Sequence, residues 1–179
     1  IRAELENPEI DRMARAFNSP VIVNTPVAPG TLRDAASKLD IPVIVYEAGE
    51  ALRFSELAIR AGVKGVVSGM RELEMIPRIK SRTTVLDPFV ARSSYWVRAA
   101  KSGILRAKKT LGEKVASNEV LGIISDPFGS TEETVVASGE GIIIGRTNIP
   151  LVNEGEALFH IAKFRDAESV QETVEVFQD

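Results

Sequence analysis

The stretch PVIVYEAGEAL, residues 42–52, decides how the first half of the chain is read. Pro42 to Tyr46 is short, β-branched and apolar on both faces, the pattern of a strand buried inside a sheet. It runs into two carboxylates, Glu47 and Glu50, with Gly49 between them. A charge at the end of a buried strand is costly unless it is solvated or paired. Strand ends in α/β sheets are also where ligands bind. Glu47 therefore reads either as a cap for the next turn or as a working carboxylate.

The flanking sequence alternates helix and strand. Asn7 before Pro8 is a helix start, and Ile10, Met13, Ala14 and Phe17 follow at helical spacing, which predicts a helix over 8–17. PVIVN (20–24) reads as a short buried strand, and two prolines make 25–29 a loop. Thr31 is expected to cap a helix from Leu32 to Leu39. Helix, strand, helix, strand implies right-handed crossovers and a largely parallel sheet containing 20–24 and 42–46. Beyond Glu50, Phe54, Leu57, Ala58 and Ala61 form one helical stripe. Val63, Val66, Val67, Met70 and Leu73 form another, which predicts a second helix over 64–76, with Gly62 read as the break and Pro77 as the end.

From about Thr83 to Phe164 the pattern changes to short alternating runs broken by Gly, Asn and Pro, which predicts an all-β region. A weak internal repeat lies within it. Gly103-Ile104-Leu105 leads to VASNEVLGII (115–124), and Gly141-Ile142-Ile143 leads to VNEGEALFHI (152–161). Two such units, each with one apolar face, can bury those faces against each other in a small sandwich related by a pseudo-twofold. The repeat resembles the barrel-sandwich hybrid of biotinyl and lipoyl domains, which carry a modified lysine at a hairpin tip. The corresponding hairpin, Ala137-Ser138-Gly139-Glu140-Gly141, has no lysine, which disfavours a carrier and favours an accessory domain. The expected division is an α/β domain over 1–82, a β-sandwich over 83–165 and a C-terminal tail over 166–179.

Composition bounds the function. With 44% apolar and 26% charged residues the chain is an ordinary globular polypeptide. A net charge of −3 with scattered Lys and Arg leaves no nucleic-acid footprint, and the short basic run 106–109 reads as a solvated strand face. The absence of Cys removes disulfides, thiolate metal sites and a thiol nucleophile. No apolar run is long enough to span a membrane and no signal peptide is visible, so a cytoplasmic protein is expected. The chain opens on Ile1-Arg2-Ala3 without Met and reads as a piece of a longer polypeptide.

Three stretches carry a family resemblance: IRAELENPE (1–9), PGTLRDAASKLDIPVIVYEAGEALRFSELAIRAGVKGV (29–66) and NEGEALFHIA (153–162). Together they resemble the C-terminal part of the succinylglutamate desuccinylase/aspartoacylase family, zinc-dependent amidohydrolases with a carboxypeptidase-like α/β fold. YEAGEALRF is the most specific of these matches. The resemblance implies a partial carboxypeptidase-like parallel or mixed sheet with helices, followed by a small all-β, barrel-sandwich-like domain. It implies cleavage of an N-acyl amino acid or related amide with the aid of Zn²⁺. An E-x-G motif at a strand end supplies the family's catalytic glutamate, and Glu47 and Gly49 match it. Glu47 would take a proton from a zinc-bound water and return it to the leaving amine, while Gly49 clears space for the substrate.

The family's zinc ligands, a histidine-x-x-glutamate motif and a later histidine, fall before Ile1. No metal ligand is therefore expected here, and the chain alone is expected to be inactive. Its single histidine, His160, reads as a packed or half-exposed strand residue, since a catalytic zinc takes three protein ligands. Arg53 suits a substrate carboxylate through its guanidinium fork. Glu50 reads as solvated and Arg71 as a surface or helix-terminal charge. A non-catalytic assembly module is the alternative reading, and a homo-oligomer is left open.

Overall fold

A computed structural model describes residues 1–78 and 87–164. The boundary expected near Thr83 and the expected tail over 166–179 lie outside the described residues. The chain divides into two compact units, Ile1–Arg92 and Ser93–Asp179. Among the described residues no helix is long and apolar enough to cross a membrane.

The first unit is α/β. Strands β1 (Arg2–Ala3), β2 (Val21–Asn24) and β3 (Phe89–Ala91) form a parallel sheet in that order. Helix α1 (Pro8–Ala16) starts where expected. The Asn7 side chain accepts from the Glu9 and Ile10 amides, Pro8 occupies the first turn, and Glu9 and Asp11 face the positive end of the dipole. Helix α2 (Leu32–Ser37) is capped by Thr31. Ile1, Ala3, Ile10, Ala14, Phe17 and Ile22 form the core of this unit, flanked by Leu5, Ile44 and Tyr46. Each large apolar side chain buried there contributes about 1.5–3 kcal/mol.

Two expectations fail in this unit. Residues 42–46 are not a buried parallel strand. Val45 alone forms a bridge, antiparallel to Arg2, with Arg2 N donating to Val45 O at 2.8 Å and Val45 N donating to Arg2 O at 2.9 Å. The segment is half-buried. Pro42 has no N–H to offer a ladder, and the neighbouring strand β1 is two residues long, so pairing cannot extend.

Gly62, in turn, breaks nothing. Helix α3 runs unbroken from Glu56 to Glu72, capped by Ser55, and ends well before Pro77. An interior glycine costs a helix only about 1 kcal/mol. These glycines serve close packing instead. A Cβ on Gly65 would lie 2.3 Å from the Phe17 ring, and one on Gly62 would lie 3.0 Å from the Tyr46 ring.

The second unit is all-β among its described residues, as the alternation predicted. Strands β4 (Ser93–Arg98), β5 (Gly103–Ala107), β6 (Lys114–Val115), β7 (Val120–Ser125), β8 (Glu132–Val136), β9 (Gly141–Arg146), β10 (Leu151–Val152) and β11 (Ala157–Lys163) form two antiparallel sheets. Their orders are β10-β5-β7-β8 and β4-β11-β9-β6. Read through the repeat, β5 corresponds to β9, β6 to β10 and β7 to β11. Each half thus lends its short strand to the other half's sheet, which is the pseudo-twofold.

The same relation holds in the hydrogen bonds. Asn118 N donates to Ala137 O at 2.8 Å as Gly155 N does to Ala99 O at 2.9 Å. The leading glycines also match. A Cβ on Gly103 would sit 2.5 Å from Ser125 O, and one on Gly141 would sit 2.4 Å from Ala162 O. Both sheets contribute to one core, with Leu121, Ile124, Leu158, Phe159 and Ile161 fully buried in it. The expected barrel character is not seen, because neither sheet closes on itself.

Candidate active site

Three contacts fix the segment that carries Glu47. Val45 is tied to β1 by its two backbone hydrogen bonds. Tyr46, next along, lies over α3: its hydroxyl donates to Ala58 O at 2.9 Å and its ring meets Phe17 at 5.0 Å between centroids. Burial pushes the Tyr46 phenol above its ordinary pKa. Successive side chains of an extended segment point to opposite sides, so Glu47 turns away from α3. There Arg2 Nε donates to Glu47 Oε2 at 2.9 Å, with the carboxylate side chain 60% exposed. The nearby Ile1 N donates to Val21 O at 3.0 Å.

Gly49 follows at φ 78°, in the left-handed region that favours glycine. The chain then makes a small loop in which Glu50 and Arg53 form a backbone bridge around Leu52, itself at φ 64°. This loop and α3 border a shallow, open cleft of about 540 Å³ lined by Tyr46, Gly49, Glu50, Arg53, Val63 and Val66 among others. Gly49, Glu50 and Arg53 are thus brought together, whereas Glu47 does not line this cleft.

The remaining candidates are placed as follows. His160 is 4% exposed in β11 and stacks on Trp96 at 4.1 Å with 8° between ring planes, a packed cross-strand pair. Arg71 lies in the last turn of α3, with its Nε buried and without a hydrogen-bond partner. Lys109, in the basic run, binds Glu119 at 2.6 Å and Glu113 at 3.2 Å rather than solvent alone. Arg2 was missed by sequence reasoning. Its signal would have been the pairing of β1 with residue 45, a contact between distant segments that no local pattern reveals.

The chemistry available is that of one exposed carboxylate held by one guanidinium. A zinc ion does not fit the residues present. No group of three or more His, Cys, Asp or Glu among the described residues could hold a metal, and His160 is stacked in a core.

The fold defines a class: a parallel α/β unit with a carboxylate on its edge segment, followed by an all-β unit of two pseudo-symmetric sheets. No protein-family model matches the chain, and no curated protein sequence matches it. Solved structures do. The succinylglutamate desuccinylase/aspartoacylase from Rhodobacter sphaeroides superposes with a TM-score of 0.75 at 18% identity, over 92% of this chain and 52% of that one. The product-bound ectoine utilization protein EutE (DoeB) from Ruegeria pomeroyi gives 0.77 at 16% identity, over 87% and 50%. A succinylglutamate desuccinylase from Silicibacter sp. gives 0.70 at 16% identity, over 90% and 52%. The structures that this chain resembles are thus succinylglutamate desuccinylase/aspartoacylase family proteins, and identities this low show the shared fold. The chain spans about half the length of these structures.

Proposed function

We propose that this chain is the C-terminal part of a zinc-dependent deacylase that hydrolyses the amide of an N-acyl amino acid or a related small molecule. In this reading the zinc ligands lie outside residues 1–179. Glu47 takes a proton from the attacking water and passes it to the nitrogen of the leaving amine. The observation that carries the reading is Glu47 itself, an ionisable group at a rigidly held segment end, on a fold shared with desuccinylases. Gly49 gives the turn that leaves the carboxylate accessible. Arg53, on the cleft side, is proposed to pair with a substrate carboxylate.

The test is Glu47→Gln in the complete polypeptide, assayed on N-acetyl and N-succinyl amino acids. General-base transfer contributes roughly 10²- to 10⁴-fold, so turnover should fall by at least about 10²-fold. Zinc content should not change, since Glu47 is not a ligand in this reading. A zinc-loaded variant with near-normal turnover would refute the assignment.

A second reading, a non-catalytic assembly module, is favoured by one observation. Helix α3 leaves Ile59, Val63 and Val66 exposed, beside a fully exposed Leu52 and Phe54. Contiguous apolar surface of this kind marks a place where protein packs. If the complete polypeptide hydrolyses no N-acyl substrate yet forms a stable complex through this face, the second reading holds.

A further inference from the structure

We infer that Arg2 is the positioning residue for Glu47. The inference rests on the reading of Glu47 as the proton carrier and adds to it the group that aims the carboxylate.

The geometry follows from strand pairing. Arg2 and Val45 exchange two backbone hydrogen bonds, of 2.8 and 2.9 Å, so they stand directly opposite one another. Glu47 is two residues beyond Val45, which puts its side chain on the same face as Arg2, one diagonal step away. A long side chain spans that step, and the Arg2 Nε–H meets Glu47 Oε2 at 2.9 Å. The contact takes one oxygen of the carboxylate, while the side chain as a whole stays 60% exposed.

An arginine suits this task. It stays charged at every working pH, and its planar guanidinium sets the direction of the single Nε–H that meets Glu47. The bond limits rotation of the Glu47 carboxyl about its terminal torsion, which is otherwise broad. Proton transfer needs that orientation, because a displacement of about 1 Å in a reacting group can cost roughly 10²-fold in rate. An exposed ion pair of this kind contributes little to folding, so a rate effect and a stability effect separate cleanly.

The experiment is a double-mutant cycle in the complete polypeptide, with kcat and KM measured on an N-acyl amino acid. Arg2→Met should lower kcat by about 10- to 10²-fold, leave KM within a few-fold and leave the melting midpoint near that of the parent. Arg2→Lys, which keeps the charge but not the fork, should recover part of the loss. In a Glu47→Gln background Arg2→Met should have almost no further effect, because its target is gone.

Equal losses in both backgrounds would overturn the inference, as would a rise in KM with kcat unchanged, which would make Arg2 a substrate contact. A normal rate for Glu47→Gln would instead defeat the functional reading beneath it. Should Arg2→Met not fold, Arg2→Lys and Arg2→Gln carry the same comparison. As a readout free of activity, the Arg2 Nε–H in the 179-residue chain should exchange more slowly with solvent in the parent than in Glu47→Gln. Equal exchange rates would also overturn the inference.

Discussion

Gly65 shows how one missing Cβ lets two helices meet. It is the buried residue of α3, and the Phe17 ring lies where its side chain would be. Replacing it with Ala gains up to about 1 kcal/mol of helix propensity but forces the ring or the helix to move, which costs about 1–3 kcal/mol. Phe17 is 6% exposed and also holds Tyr46, so it has little room to retreat. Gly65→Ala should therefore destabilise the first unit by about 1–2 kcal/mol, seen as a lower denaturant midpoint at unchanged slope. Gly69→Ala is the internal control, since a Cβ there meets nothing within 4 Å. It should stabilise the helix slightly.

Among elements, the paired turns of the β unit carry the clearest electrostatic consequence. Glu119 Oε2 accepts the Ala116 amide at 2.7 Å, and its counterpart Glu156 accepts the Asn153 amide at 2.8 Å. Glu119 is held below the ordinary carboxylate pKa first by the Lys109 ammonium and then by that amide. Glu156 is held down first by the Asn153 backbone and then by the Asn153 side chain. A depressed carboxylate pKa means that the unfolded chain binds more protons than the native state. Its stabilisation is present above the unfolded value and is lost as pH falls through the folded one. The β unit should thus lose stability progressively below about pH 4.5. Glu119→Gln with Glu156→Gln should lower the melting midpoint at pH 7 by a few degrees and flatten the acid limb, so that variant and parent converge near pH 3. Thermal melts followed by circular dichroism between pH 3 and 7 test this. A constant offset across that range would show that the turn carboxylates do not act through their charge.

Over the whole molecule, part of the apolar exposure in the first unit lies along α3. Phe17 and Tyr46 cover the side that holds Gly65 and Gly62, while Val63 at 60% and Val66 at 56% face outward. Residues already in water should tolerate charge. Val63→Lys with Val66→Lys is expected to change stability by less than about 1 kcal/mol. The same pair should reduce binding of a hydrophobic dye and any concentration-dependent association of the 179-residue chain, measured by sedimentation velocity. A large loss of stability would show that the face is covered within this chain.

Much of this was legible in local sequence because the forces involved are local. Asn7-Pro8 and Thr31 cap helices through side chains within three residues of the amides they bind. The alternation after Ser93 and the repeated Val-turn-Glu segments specified strands, turns and their pseudo-twofold, since each half meets the same packing problem with the same residues. What escaped local reading depended on distant partners. PVIVY has the composition of a buried strand, yet it remains an edge segment because β1 offers only two residues and Pro42 no donor. Gly62 reads as a breaker until the Tyr46 ring that needs its small size is in view. Arg2 and Glu47 are 45 residues apart and acquire a joint meaning only through the antiparallel pairing of residues 2 and 45. The sequence by itself determined α1, α2 and β2, the caps of the two helices, the internal repeat and the candidate carboxylate. The tertiary structure decided which way that carboxylate points and what holds it, because long-range pairing, unlike propensity and period, is written in no single window of the chain.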